Sequence, residues 1–329
     1  MKRYFIGIDI SKKWLDYAVW DKKSSKVIDY GKFDNKSETI IKTLKKLVKR
    51  FDKDELWVCF EHTGNYGLVL SCSLEELSLD YSVVPALEII KSQGMKRGKN
   101  DKIDAMRIAE FACVHSHKLK SNKLPSESFL KIKQLLTYRE QLVKTRSAFK
   151  NSLKSHQMME GLTKLNNISS DIKSQITRLD DQIKQVEKEL NEIMTKDQDI
   201  KKNLDLVKSV KGIGPIVAAA IILSTQNFTS FENPRKFNCY TGLAPFEHSS
   251  GMFKGKTKTS KLRNKYMKAL MMNAANSAAQ YDPQLKQYYR RKMDQGKKNC
   301  TVLNAVACKL VYRVFATVKR QSPYIILQN

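Results

Sequence analysis

From position 4 to position 21 the chain alternates apolar and polar residues through YFIGIDISKKWLDYAVWD. A period of two marks strand with one buried face, and here it ends at a polar turn over 21–25. KVIDYGKFD follows as a further short strand. Ser37 then opens SETIIKTLKKLVKRF, in which Ile40, Ile41, Leu44 and Leu47 recur on one face of a helix. ELWVCFEHT reads as a buried strand, NYGLVLSCSLEELS as a helix and DYSVVPA as another strand. A helix over 87–93 leads through the basic loop GMKRGKN to the helix DKIDAMRIAEFAC. Strands first, then strands alternating with helices, predict an α/β domain on a mixed sheet, with bounds of 1–122.

The period changes downstream. Ile172, Ile176, Leu179, Ile183, Val186, Leu190 and Ile193 step by four and three in turn, which is a heptad seam. Leu135, Tyr138, Leu142, Phe149 and Leu153 give a weaker seam before it. GLTKLNNISSD supplies the turn between them, with Ser170 or Asp171 as N-cap of the second helix. Residues 123–204 therefore predict a coiled-coil stalk, an antiparallel hairpin of helices of roughly 33 to 38 residues reaching on the order of 50 Å. Such a stalk serves as a rigid spacer or as an oligomerisation or nucleic-acid-bracing arm. The remainder, 205–329, reads as a mostly α-helical domain. Gly212 and Gly214 precede an apolar helix beginning near Pro215, with Lys208 and Lys211 beside them. This is similar to a helix–hairpin–helix turn, whose backbone N–H groups receive a DNA phosphate. After Pro234 comes a small domain reaching to about 280, then helices around 282–294 and 300–319.

Charge sharpens this division. The net charge is +27, and residues 201–329 hold 23 Lys and Arg against five Asp and Glu, whereas 1–120 hold 23 against 17. A domain so unbalanced repels itself unless a polyanion supplies the counter-charge, and nucleic acid is the default partner. The six cysteines are scattered without C-x-x-C spacing. That argues against a zinc ribbon and a secreted disulfide framework, and fits a reduced cytosolic compartment. No window approaches eighteen consecutive apolar residues, so neither a membrane span nor a signal peptide is expected.

Asp9 lies in GIDIS near the end of the first strand, and Glu61 ends the strand WVCFE. Asp101 and Asp104 stand three apart at the start of a helix and share one face. Hard divalent cations take oxygen ligands, and convergent carboxylates can place two such ions for phosphoryl transfer. The same residues also admit a plainer reading, with Asp101 capping its helix. Against it, Asp101 and Asp104 sit inside a basic stretch (Lys96, Arg97, Lys99, Lys102), and Asp9 sits in an otherwise apolar strand where an unpaired charge is costly. GIDISKKWLD, FEHTGNYG and NDKIDAMRIAEF resemble the three signature blocks of the DEDD, RuvC-like domain of insertion-sequence transposases of the IS110 type. The resemblance implies an RNase H fold and places the metal ligands, for Mg2+ or Mn2+, on Asp9, Glu61, Asp101 and Asp104.

The second block is CYTGLAPFEHSSGMFKGKTKTSKLRNKYMKAL. A serine hydroxyl needs a base, a metal or nearby cations to act as a nucleophile. Lys254, Lys256, Lys258, Lys261 and Arg263 supply such a field, or simply a phosphate-binding surface around an ordinary Ser-Gly turn. His248, close to the serines, reads as a proton shuttle, a phosphate contact or an ordinary loop histidine with no role. The pattern Y-x-G-L-x-P, then S-G, then S-K before an amphipathic helix resembles the C-terminal domain of the same transposases. That resemblance implies a nucleophile at Ser250, with Ser249 as the neighbouring alternative, and a covalent phosphoserine link to DNA. It further implies an active site completed by another subunit, in a dimer or tetramer, and a bridge RNA pairing with donor and target DNA. One departure is Arg263, which stands where these transposases have glycine. Tyr288, Tyr289, Arg290, Arg291 and Lys292 are placed to stack on and neutralise nucleic acid. Two other readings stay open, a Holliday-junction nuclease using water and a non-catalytic nucleic-acid-binding scaffold.

Overall fold

The computed structural model describes residues 2–92, 94, 100–163, 167–231, 233–250 and 253–325, with the backbone alone at 160–163, 248, 253, 254 and 256. The chain forms two compact units, Met1–Leu124 and Pro125–Asn329.

The first unit holds β1 (Tyr4–Ile10), β2 (Trp14–Asp21), β3 (Lys26–Asp34), α1 (Ser37–Arg50), β4 (Leu56–Glu61), α2 (Leu68–Glu76), β5 (Tyr81–Val84), α3 (Ala86–Ser92) and α4 (Asp101–Val114). The expected mixed α/β sheet is present, in the order β3-β2-β1-β4-β5. β1 runs antiparallel to β2 and parallel to β4, while β2 is antiparallel to β3 and β4 parallel to β5. The segment read as one alternating run is two strands. Ser11 folds it back, its Oγ accepting from Trp14 N at 3.1 Å and donating to Trp14 O at 2.9 Å. The alternation survives because both strands bury the same face.

That face, with Ile6, Ile8, Leu15, Val19, Val58 and Phe60, packs against Ile40, Leu44 and Leu47 of α1 and Leu70 and Leu74 of α2. The opposite face carries Phe5, Cys59 and Ala18 beneath α3 and α4. Gly7 lets α4 touch the sheet, because a Cβ there would fall on the backbone of Ala105 and Ala109. The open edge of β5 is covered by the chain after α4. Asn122 donates its N–H to Tyr81 O at 2.8 Å, and its Oδ1 accepts from Val83 N at 2.9 Å.

The second unit opens with α5 (Glu127–Thr163) and α6 (Asn167–Lys196). They run antiparallel, as two ion pairs show: Arg139–Glu187 at 2.6 Å and Arg146–Asp180 at 2.5 Å. Leu142, Ile183 and Val186 are buried between them. α6 begins at Asn167, ahead of the expected cap at Ser170 or Asp171. Of the expected α5 seam, Leu135 packs beside Leu142 in the contact with α6 while Tyr138 is 43% exposed, and Ile132 and Leu136 are buried instead in the larger core of the unit.

α7 (Gln198–Lys208), α8 (Pro215–Thr225), α9 (Pro234–Thr241), α10 (Lys265–Tyr281), α11 (Pro283–Asp294) and α12 (Asn299–Arg320) follow, with a hairpin of β6 (Pro245–Ser250) and β7 (Phe253–Thr259) before α10. α8 is buried on nearly every side and forms the centre of the unit, as a helix apolar all round must. Around it pack Leu204 and Val207 of α7, Phe237 of α9, Met271 and Ala275 of α10, and Leu310 and Val314 of α12. The stretch after Pro234 is therefore no separate small domain, since α9 and α10 complete this shared core. α12 is long and apolar enough by composition to cross a membrane, yet half of that span is buried within this core.

Candidate functional site

Strand register builds the first site. Asp9 pairs with Asp16 across β1 and β2, and Asp16 pairs with Lys32 across β2 and β3. Glu61 stands one residue past the last printed β1–β4 pair, Ile8 with Phe60, as Asp9 does. Because alternate residues share a face, Lys32, Asp16, Asp9 and Glu61 form one row across four strands, on the face that α4 covers. Gly7, two residues before Asp9, sits against Ala105 and Ala109 of α4, and this contact brings Asp101 and Asp104 of the first turn toward the row. Asn100 is the cap of α4, its Oδ1 accepting from Ile103 N at 2.7 Å, so Asp101 is not needed for capping.

The electrostatics report the convergence. Asp9 is half-buried, and its carboxyl is pushed up to about 6, first by desolvation and then by the charges of Asp101, Asp104, Glu61 and Asp16. The other three residues assigned from the sequence thus all act on Asp9. Asp101 and Asp104 are each turned to a basic side chain: Lys32 Nζ lies 3.7 Å from Asp101, and Arg107 lies 3.0 Å from Asp104. Among the described residues, no three His, Cys, Asp or Glu are grouped closely enough to hold a metal ion. The chemistry of the donor set still suits a hard divalent cation, because the candidate groups are carboxylates and a bound cation would offset both the burial and the acidic neighbours that raise Asp9.

Asp16 is a residue the sequence reading missed. It is 3% exposed, accepts from Tyr30 Oη at 2.7 Å and pairs with Lys32 at 3.2 Å. The hydrogen bond to Asp16 pushes the Tyr30 phenol up to about 12. Recognising SKKWL as a turn would have set Asp16 opposite Asp9.

The second candidate is the β6–β7 hairpin, which the sequence did not announce because its strands, PFEHSS and FKGKTKT, hold few apolar residues. Ser250 pairs with Phe253 at the tip, Ser249 pairs with Lys254, and both serines are exposed. Gly251 and Met252 lie outside the described residues, as do the side chains of His248, Lys254 and Lys256. The basic residues Lys96, Arg97 and Lys99 of the first unit lie outside them too. Lys258 and Lys261 are exposed along β7 and just beyond it.

Arg263 has a structural task at the base of the hairpin. Its side chain crosses Gly242, whose φ of +70° ends α9, and its Nη1 donates to Ser260 O at 3.0 Å. Lys268 donates to Gly242 O at 2.7 Å, and burial followed by the Arg263 charge lowers its ammonium below the usual lysine range. Bulk absent at 242 is thus supplied from 263, which accommodates the departure noted above.

Gly212, with φ of +94°, packs on α10, where a Cβ would lie 2.6 Å from Ala278 Cβ. Gly214 is the N-cap of α8 and is open around its Cα. Lys208 and Lys211 are exposed on either side of this turn, and Arg290 and Arg291 are exposed on α11.

Residues 6–158 match the transposase family of the DEDD, IS110 kind, and residues 204–290 match the transposase IS116/IS110/IS902 family. The transposase for insertion sequence element IS1111A of Coxiella burnetii is 24% identical over 208 residues, covering 56% of each chain. A probable family 20 transposase of Pseudomonas aeruginosa is 28% identical over 107 residues, covering 32% of this chain and 30% of that protein. The chain spans about half the length, or less, of the curated relatives it matches. T. thermophilus RuvC in complex with Holliday junction substrate is 11% identical, covers 37% of this chain and 99% of that one, and has a TM-score of 0.29. A likeness so slight carries no argument.

Proposed function

Because the chain belongs to the IS110 family of transposases, we propose that it cuts and rejoins donor and target DNA with Ser250 as nucleophile and the Asp9 cluster as a divalent-cation site. The observation that carries this reading is the field at Asp9 of β1, whose carboxyl feels Glu61 from β4 and Asp101 and Asp104 from α4. The strand order, with three antiparallel strands extended by two parallel ones, supports an RNase H-like domain.

In the proposed step, Ser250 Oγ attacks a DNA phosphorus. The Oγ–P bond forms as a P–O bond to deoxyribose breaks, the hydroxyl proton passes to solvent, and the departing sugar oxygen takes one up. Mg2+ or Mn2+ held by Asp9, Glu61, Asp101 and Asp104 would supply positive charge to the oxygens of the reacting phosphate. Lys258 and Lys261 hold the DNA backbone near the hairpin, and Lys208, Lys211 and the α8 N-terminus at Gly214 bind it farther along. Donor DNA, target DNA and a bridge RNA are the partners, in a dimer or tetramer whose active site joins two subunits, in the bacterial cytosol.

The test is trapping of protein–DNA adducts on denaturing gels, with element-end DNA and co-purified transcript. Ser250→Ala is expected to abolish the adduct, Ser249→Ala to retain it, and Asp9→Asn or Glu61→Gln to abolish it in Mg2+. An adduct that persists in Ser250→Ala rejects the nucleophile. Cleavage persisting without an adduct points to water as nucleophile.

A further inference from the structure

The second unit has a large groove of about 1040 Å³ between α11 and α12. Its walls carry Lys286, Arg290, Arg291, Lys309 and Arg313, and its lining holds one carboxylate, Asp294. Tyr288 is half-buried in it, with the Lys309 ammonium 4.6 Å and the Arg291 guanidinium 5.7 Å from its ring centre.

The groove is built in advance of any ligand. Asp282, fully buried, caps α11 by accepting from Leu285 N at 2.8 Å, and it also accepts from Arg313 of α12 at 2.8 Å. Arg313 donates in addition to Gln284 at 2.9 Å and lies over Tyr324 at 5.0 Å. Arg313 therefore ties the two walls together. The other four cations are exposed, and among the described residues none of them pairs with a carboxylate. Lys286 and Arg290 stand one turn apart on α11, so they present charge at intervals along the groove rather than at a point.

We propose that this groove binds an unpaired nucleic-acid strand, with a base laid on Tyr288 and the flanking phosphates held by Lys286, Arg290, Arg291 and Lys309. The cations alone would suit any polyanion. The aromatic ring decides the form, because paired bases hide their faces in the stack, and a face can reach a ring inside a groove only when its base is unpaired. A base laid on Tyr288 takes the place of a cation now over that ring, and Lys309 and Arg291 are then beside its flanking phosphate. This site takes no part in bond breaking, and it stands whether or not Ser250 is the nucleophile.

Fluorescence anisotropy on the full chain tests it, using labelled 12-nucleotide single-stranded DNA, the same sequence as RNA, and a duplex of equal length across a salt series. The triple variant Lys286→Gln, Arg290→Gln, Lys309→Gln is expected to weaken single-strand binding at least tenfold. Its slope of log affinity against log salt should fall by about 2, since each lost phosphate contact on a single strand removes about 0.7. Tyr288→Leu should weaken single-strand binding at least fivefold while Tyr288→Phe stays within twofold, and duplex binding should change less than threefold in all three. The tighter of the DNA and RNA arms identifies which strand the groove takes. A strand bearing 5-iodouracil should crosslink within the peptide around Tyr288. Equal loss on duplex and single strand, no loss on either, or a crosslink only elsewhere would each overturn the proposal.

Discussion

Asp9 concentrates the cost of the acidic row in one side chain. Its carboxyl is raised from 3.8 to about 6 by desolvation and by its acidic neighbours. The folded chain therefore holds this proton more tightly than the unfolded chain does, and the associated stability is complete below about pH 4 and lost as pH climbs through about 6. In EDTA, the thermal midpoint is expected to fall between pH 5 and pH 7.5, and Asp9→Asn to flatten that fall. Scanning calorimetry across pH checks it, and an unchanged slope in the variant would place the origin elsewhere. Lys32 offsets part of the same repulsion, standing 3.2 Å from Asp16 and 3.7 Å from Asp101. Lys32→Met should cost about 1–2 kcal/mol by leaving a buried carboxylate short of a partner. It should also tighten Mn2+ binding by titration calorimetry, because the cation competing for Asp101 is gone, whereas Asp101→Asn should weaken it.

At the scale of elements, one close contact sets the site. α4 rests on β1 at Gly7, so Gly7→Ala must lift the helix that carries Asp101 and Asp104. The expected loss is at least about 2 kcal/mol by denaturant unfolding, with weakened Mn2+ affinity alongside it. Full stability in that variant would show that the helix has room the contact denies. The same elements explain what was legible in the chain. Asp9, Glu61, Asp101 and Asp104 stand out as candidates because they lie at or near the ends of strands and of a helix that the chain's pattern indicates. Asp16 was hidden because its turn, SKKWL, is closed by one serine and left the alternation unbroken. The β6–β7 hairpin was hidden because its described residues bury little, and pattern reading depends on burial. Its discovery separates Ser249 from Ser250, since adjacent strand residues point to opposite sides and cannot serve one nucleophilic position interchangeably. In the helical hairpin, the step of four and three located α6 and, on α5, Leu135 and Leu142, but not Tyr138, which is exposed, nor Ile132 and Leu136, which are buried in the core of the second unit.

At the scale of the whole molecule, the acids and the serine lie in different compact units, Met1–Leu124 and Pro125–Asn329. A proposed site drawn from both is completed either within one chain or between two. Mixing an Asp9→Asn chain with a Ser250→Ala chain distinguishes these. If each site joins units of one chain, every site in the mixture carries a lesion and no adduct forms. If each site joins two subunits of a dimer, a mixed dimer has one site with both lesions and one with neither. Half the dimers are mixed after random exchange, so about a quarter of the wild-type adduct should return. Because the intact site uses the serine of the Asp9→Asn chain, a size tag on that chain should carry all of the recovered DNA. Adduct on the Ser250→Ala chain would contradict the nucleophile, and its complete absence after verified subunit exchange would assign both units of the site to a single chain.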